Sequence, residues 1–298
     1  MAPFQIVVFL ERLAVKFTES CIDCLITRVE LECKLVGADA RTTQQTTESC
    51  RNLLLSLKGA HLSHPQIASR LHHQAYDLLK NSDPFKDLKN QGNAESIAVC
   101  KDVRTSLVAF RDYVLASVIG NTFDYGVKGH TVTNNFAGFF REEFKKGLVI
   151  DDTDRILPRV SRVVYLSDNC GEIVFDRLLI QYLKSHGSHV TLAVKAQPML
   201  NDATLADAKM LGLDHIVDCL TTNCDGAEIG LCPEEATPVL SEAISRCTLI
   251  IAKGMANFES LFDRDDLPPV AYLMAAKCQP VANEAGVPVG SKIALLRA

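Results

Sequence analysis

The spacing of apolar positions divides the chain near residue 150. Before that point apolar residues recur with helical periodicity, as in residues 94–115, and few β-branched runs are bounded by turns. After Arg162 the texture changes. Short β-rich runs at residues 163–166, 190–194, 249–252 and 270–275 alternate with helix-length segments, which predicts a parallel sheet covered by helices on both faces. Between the first two runs, Phe175, Leu178, Leu179 and Tyr182 fall at i, i+3, i+4 and i+7, and Gly187 supplies a stop. Strand, amphipathic helix and strand then form a βαβ unit. Asp151, Asp152, Thr153 and Asp154, followed by Pro158, read as a linker. The expected architecture is α/β: a Rossmann-like three-layer parallel-sheet domain over residues 151–298, behind a helical domain over residues 1–150. No internal repeat or low-complexity segment is present.

Composition narrows the function classes. A chain of 298 residues with 47% hydrophobic content can bury a full core. A net charge of −5 gives no broad basic field for nucleic acid, so an anionic small substrate needs a local cation or metal. The apolar residues 4–10 run straight into Glu11 and Arg12, without a cleavage pattern and too short to span a bilayer. The expected setting is cytoplasmic, with no membrane partner. Eleven cysteines in so long a chain read as reduced thiols rather than a disulfide framework.

In an open parallel sheet, ligands sit outside the carboxyl ends of the strands, where loops gather and helix N-termini point. Residues 167–172 follow the first run and include Asp168, Asn169 and Glu172. Residues 197–202, with Asp202, follow the second; Lys253 and Asn257 follow the third, and Lys277 the fourth. Asp168, Asn169 and Asp202 are hard oxygen donors suited to Mg²⁺ or Mn²⁺, and Lys253 and Lys277 are cations for phosphate oxygens. Taken singly, Asp168 or Asp202 reads more readily as a helix N-cap, and each lysine as solvated. Their coincidence on successive strand ends is what points to phosphate chemistry.

These residues also carry a resemblance. Residues 168–176, DNCGEIVFD, resemble the DNAGEIVFD signature of the DUF89 family, also called the damage-control phosphatase or ARMT1-like family. Residues 198–204, PMLNDAT, are similar to its second signature, KGMANFE at 253–259 to its KGQGNFE, and AKC at 276–278 to its closing element. In the first half, CIDC at 21–24 with Arg28, DPF at 83–85 with Lys89, and GNTFD at 120–124 resemble its prokaryote-typical, CxxC-containing subfamily. The resemblance implies a metal-dependent phosphatase acting on small phosphorylated metabolites such as sugar phosphates or nucleotides, in metabolite damage control. It implies a metal on Asp168, Asn169 and Asp202, Mg²⁺ or Mn²⁺ with Co²⁺ or Ni²⁺ as alternatives, and Asp168 and Asp202 as catalytic residues. Asn121, Asp124, Glu172, Lys253, Asn257 and Lys277 are its implied substrate contacts, in an interdomain cleft. Physiological substrate, nucleophile and oligomeric state stay open.

Cys170 stands where the family has alanine, and Met255-Ala256 where it has Gln-Gly; the first reads as a small buried filler, the second as a change on the substrate side of the pocket. Cys21 and Cys24 lack an evident second ligand pair, Cys219, Cys224 and Cys232 being candidates only by number, so packing on a helix is the favoured reading. Asp152 and Asp154, after residues 148–150, imitate the nucleophile and acid of haloacid-dehalogenase phosphatases, a rival that fits the motif poorly. Two competing functions stand beside the phosphatase. One is a protein carboxyl methyltransferase, proposed for members of the family, although the strand-end glycine loop of a nucleotide-type cofactor site is missing here. The second is a non-catalytic metal-binding protein of the same fold.

Overall fold

The computed structural model describes residues 19–60, 62–122 and 136–298; residues 4–10 and Asp124 lie outside the described residues. Helices α1 (Glu19–Leu35), α2 (Ala40–Ser56) and α3 (His64–Leu79) come first, then α4 (Lys86–Val103), α5 (Phe110–Gly120) and α6 (Phe136–Lys146). The remainder alternates: β1 (Ile150–Asp151), α7 (Thr153–Ile156), β2 (Arg162–Leu166), α8 (Glu172–Ser185), β3 (His189–Val194), α9 (Leu205–Met210) and β4 (Cys219–Thr222). It closes with α10 (Pro238–Arg246), β5 (Leu249–Lys253), α11 (Gly254–Leu261), β6 (Val270–Ala275), α12 (Gln279–Glu284) and β7 (Lys292–Arg297).

One seven-stranded sheet has the order β1-β7-β6-β5-β2-β3-β4, parallel except between β6 and β7. The four strands expected from apolar runs are β2, β3, β5 and β6. The chain leaves β2 toward β3 on one side, and β5 pairs with β2 on the other. The strand order therefore reverses at β2 and β5, opening a crevice at their carboxyl ends. Successive side chains of β2 take opposite faces. Val163 and Tyr165 join a core with Val114 and Val118 of α5 and Phe175 and Leu179 of α8. Val164 and Leu166 join the other face with Leu240, Phe258 and Val281.

The helices before residue 150 divide in two. Those of α1 to α3 build their own core from Leu25, Val29, Cys50, Leu54, Leu71 and neighbours, whereas Val99 and Val103 of α4, α5 and Phe140 of α6 share the core on the sheet. Phe85 ties the parts together by packing with Met199, Leu200 and Ala227.

Two expectations need correction. The helical run over 94–115 breaks between α4 and α5, because the Asp112 carboxylate accepts from the backbone N–H of Val108 and Ala109 and restarts the helix there. The acidic linker is built structure. Asp152 accepts from Leu296 N–H on β7 and from Arg155, and Asp151 accepts from Thr153, so the Asp152–Asp154 rival is anchored at the sheet's edge by β1, away from the crevice.

Gly120, at the end of α5, fixes how closely that helix meets α8. A Cβ there would stand 2.9 Å from Phe175 Cδ2 and 3.3 Å from the Glu172 Cα. Gly120→Ala should therefore lower unfolding free energy by about 1–3 kcal/mol, the cost of overpacking a tight core, in chemical denaturation followed by circular dichroism.

Candidate active site

The loop after β2 and the loop after β3 are sewn together by main-chain bonds. Cys170 N–H donates to Asn201 O and Ala203 N–H to Asp168 O, each at 2.8 Å, and Asn169 and Asp202 pair as an antiparallel bridge. Leu200 adopts φ 48, a left-handed turn uncommon for leucine, and its N–H donates to the Tyr76 hydroxyl of α3 at 2.9 Å. This turn sets Asp202 beside Asp168 and Asn169. None of the three caps a helix. The N-cap of α9 is Thr204, in a capping box with Asp207, and that of α8 is Gly171.

Asp168 is clamped from two sides. Asn121, the C-cap of α5, and Asn169 both donate through Nδ2 to Asp168 Oδ2, at 2.9 and 2.7 Å. Asn169 thereby turns its carbonyl oxygen away from that contact. Gly254, with φ +75, opens α11 against the same carboxylate, where a Cβ would fall 1.9 Å from Asp168 Oδ2. Only glycine lets the carboxylate lie there. The loop sequence Lys253-Gly254 is thus explained by the space Asp168 needs.

Asp168, Asn169 and Asp202 line a cavity of about 120 Å³, which Arg28 of α1 and Lys277 also line. Two carboxylates and an amide oxygen from adjoining loops are the donor set expected for a hard divalent cation, with room left for water or substrate oxygens. The residues present fit such an ion. Among the described residues, no cluster of three or more His, Cys, Asp or Glu is placed to hold a metal; this set relies on one amide. Cys21 and Cys24 line the same cavity with Cys278, rather than with Cys219, Cys224 or Cys232. Cys170 is buried, and burial pushes its thiol well above the ordinary range, as befits a packing group.

Beside the cavity lies a buried ionic layer that contains several of the expected substrate contacts. Lys253 is fully buried, its Nζ 2.9 Å from Glu172 Oε1 and 3.4 Å from Asp176 Oδ1, and donates to Ser117 Oγ at 2.6 Å. It has no donor left for a phosphate. Glu172 is equally buried, accepting from Asn121 Nδ2 at 2.8 Å and from Asn169 N–H. Asn257 donates to Ser167 O and Lys253 O, tying the ends of β2 and β5. Asn121 accepts from Ala275 N–H, so it joins α5, Asp168, Glu172 and β6. Among the described residues, Lys277 is the expected substrate contact that lines the cavity.

Burial pulls the Lys253 ammonium down, but the charges of Asp176 and Glu172 outweigh it and hold its pKa above the ordinary lysine value. Burial raises Asp176 to about 6, against the partial relief of Lys253. The participants to which the sequence reading gives no role are Asp176, Ser117 and Tyr165. Asp176 lies one helical turn past Glu172 and accepts from Ser117 and Tyr165 at 2.6 and 2.8 Å. Its signal in the sequence is a carboxylate on the apolar face of α8.

Comparison with known proteins identifies the family. A family model described as the damage-control phosphatase ARMT1-like domain matches residues 17–293. A damage-control phosphatase from Archaeoglobus fulgidus is 38% identical over 285 residues, covering 94% of this chain and 98% of that protein. One from Pyrococcus horikoshii is 31% identical over 247 residues, covering 78% and 81%. A solved structure of a DUF89 family protein from Pyrococcus horikoshii superposes with a TM-score of 0.85 at 26% identity, over 94% of this chain and 98% of that one.

If Lys253 serves the layer rather than substrate, Lys253→Met should cost about 3–5 kcal/mol in denaturant unfolding, because two buried carboxylates lose their cation. An unchanged stability would sink this placement. Asp176 gives a pH signature. Its folded pKa of about 6 lies above the ordinary 3.8, so the folded state binds the proton more tightly. The resulting stability is fully present below about pH 3.8 and lost as pH rises through about 6. Asp176→Asn should remove that slope, measured as the difference between the two proteins' unfolding free energies from about pH 4 to 7.

Proposed function

We propose a reaction for this chain, which belongs to the damage-control phosphatase ARMT1-like domain family and is a phosphatase of a metal-dependent class: hydrolysis of phosphate monoesters of small metabolites at the cavity bounded by Asp168, Asn169 and Asp202. The observation that carries it is the convergence of those three oxygen donors on one cavity that Lys277 also lines. Asp168, Asn169 and Asp202 would hold the divalent ion, Mg²⁺ or Mn²⁺, with Co²⁺ or Ni²⁺ as substitutes. When bound, such an ion polarises a phosphoryl oxygen and lowers the pKa of water.

The chain's own residues supply orientation. Asn121 and Asn169 fix the rotation of the Asp168 carboxylate through its Oδ2, while the loop bonds around Asp202 hold the third donor in place. Lys277 offers a positive charge to the phosphate as negative charge grows on its oxygens. Leu25, Ile229 and Met255 give the cavity an apolar wall for the rest of the metabolite, and that wall excludes water from the ester. Among the described residues, no helix is long and apolar enough to cross a membrane. The cysteines are free thiols, which accords with a cytoplasmic setting.

Asp202→Ala should lower metal-stimulated phosphate release from a panel of sugar phosphates and nucleotides by at least about a hundredfold, the metal's contribution being several kcal/mol. Because Asp202 caps no helix, its circular dichroism spectrum should match that of the parent. Full activity in the variant would remove the assignment.

A further inference from the structure

Lys195 follows β3 directly and is almost wholly withdrawn from water. Its Nζ lies 3.4 Å from Asp202 Oδ2 and donates to the carbonyls of Glu228 at 2.6 Å and Gly230 at 3.0 Å. Two hydrogen bonds to carbonyls hold the ammonium, and the Asp202 carboxylate stands beside it at ion-pair distance. The loop that supplies the carbonyls is itself fixed. Gly230 has φ +69 and packs so closely that a Cβ would sit 2.7 Å from Ala256 O, and Ile229 N–H donates to Ser69 Oγ of α3. Lys195 is thus anchored by these carbonyls and does not line the cavity.

Its charge has another consequence. Asp202 is also buried, and a buried carboxylate needs a compensating cation. Asp202 thus has a cation beside it in the fold and is the proposed ligand of a second. We propose that Lys195 is the resident counter-ion of Asp202: it stands beside the carboxylate at ion-pair distance and holds it in place without metal, and its fixed positive charge limits how tightly the site holds a divalent ion. This inference rests on reading Asp202 as a metal ligand.

The sign of the effect separates this role from a merely structural one. A residue that only braced Asp202 would, when lost, loosen the donor and weaken metal binding. Loss of a counter-ion does the opposite, because the metal-free state loses a positive charge that attracts the carboxylate and the metal-bound state is relieved of one that repels the ion. Lys195 is a positioning residue in this scheme.

The test is calorimetric titration of the full chain with Mn²⁺, with thermal unfolding in its absence and presence, for the parent, Lys195→Met and Lys195→Gln. Both variants should unfold at lower temperature without metal, yet bind Mn²⁺ on the order of tenfold tighter and gain more thermal stability from it than the parent does. If Lys195→Met does not fold without metal, Lys195→Gln, which keeps an amide donor for the loop carbonyls, carries the comparison. Mn²⁺ affinity that is equal to or weaker than the parent's in the folded variants overturns the counter-ion role alone. A parent that binds no Mn²⁺ removes the metal-site reading and this inference with it.

Discussion

A lysine ammonium fully withdrawn from water must be met by carboxylates, and in this fold that requirement organises the floor of the site. Lys253 sits between Glu172 and Asp176. Glu172 then holds Asn121 and Asn169 through its other oxygen, and those two amides hold Asp168. A charge that never touches the cavity thereby fixes the rotation of a carboxylate that does. Such a layer is costly to desolvate, and its value lies in geometry more than in net stability. Its members come from different elements, so α5, α8, β2 and β5 must all be seated before Asp168 is.

The same logic joins the first three helices to the sheet. Their core is separate, yet polar bonds cross to the loops of the cavity and to α11: Tyr76 to Leu200, Ser69 to Ile229, and His64 to Glu259 of α11 at 2.8 Å. The contacts fall on the wall of the cavity and on the turn leading to Asp202. Helices α1 and α3 therefore form one side of the site, and α4 to α6 form a layer of the sheet domain. The helical half contributes to the chemistry by shaping the loops as well as by covering them.

Much of this is legible in the sequence because strand ends are marked by composition. The runs that form β2, β3, β5 and β6 are short and β-rich, and each is followed by polar residues, which puts Asp168, Asn169, Asp202 and Lys277 on one rim. β4 and β7 escape for physical reasons. Residues of β4 are half-buried at an edge and include two threonines, while β7 runs antiparallel to β6 and breaks the expected alternation. Lys253 misleads because a polar residue at a strand end is expected to point into the crevice. Strand parity gives the right answer: it shares the face of Leu249 and Ile251, whose neighbours are α5 and α8, and so it meets Ser117 and Asp176. Asp176 itself cannot be assigned from one sequence, because a carboxylate on an apolar helix face has no visible partner until the sheet is folded beneath it.

The two buried lysines constrain how the site can balance charge. Lys253 is spent on Glu172 and Asp176, and Lys195 on Asp202 and two carbonyls. Neither can follow a phosphoryl group through a reaction. A substrate phosphate carries negative charge that no donor in the Asp168, Asn169 and Asp202 set can offset, since two of the three are themselves carboxylates. Compensation has to come from a bound divalent ion and from cations on the cavity wall, where Lys277 and Arg28 stand. These arise from the segment after β6 and from α1, on different parts of the chain. An anion bound in the cavity would thus meet positive charge from both the helical part and the sheet.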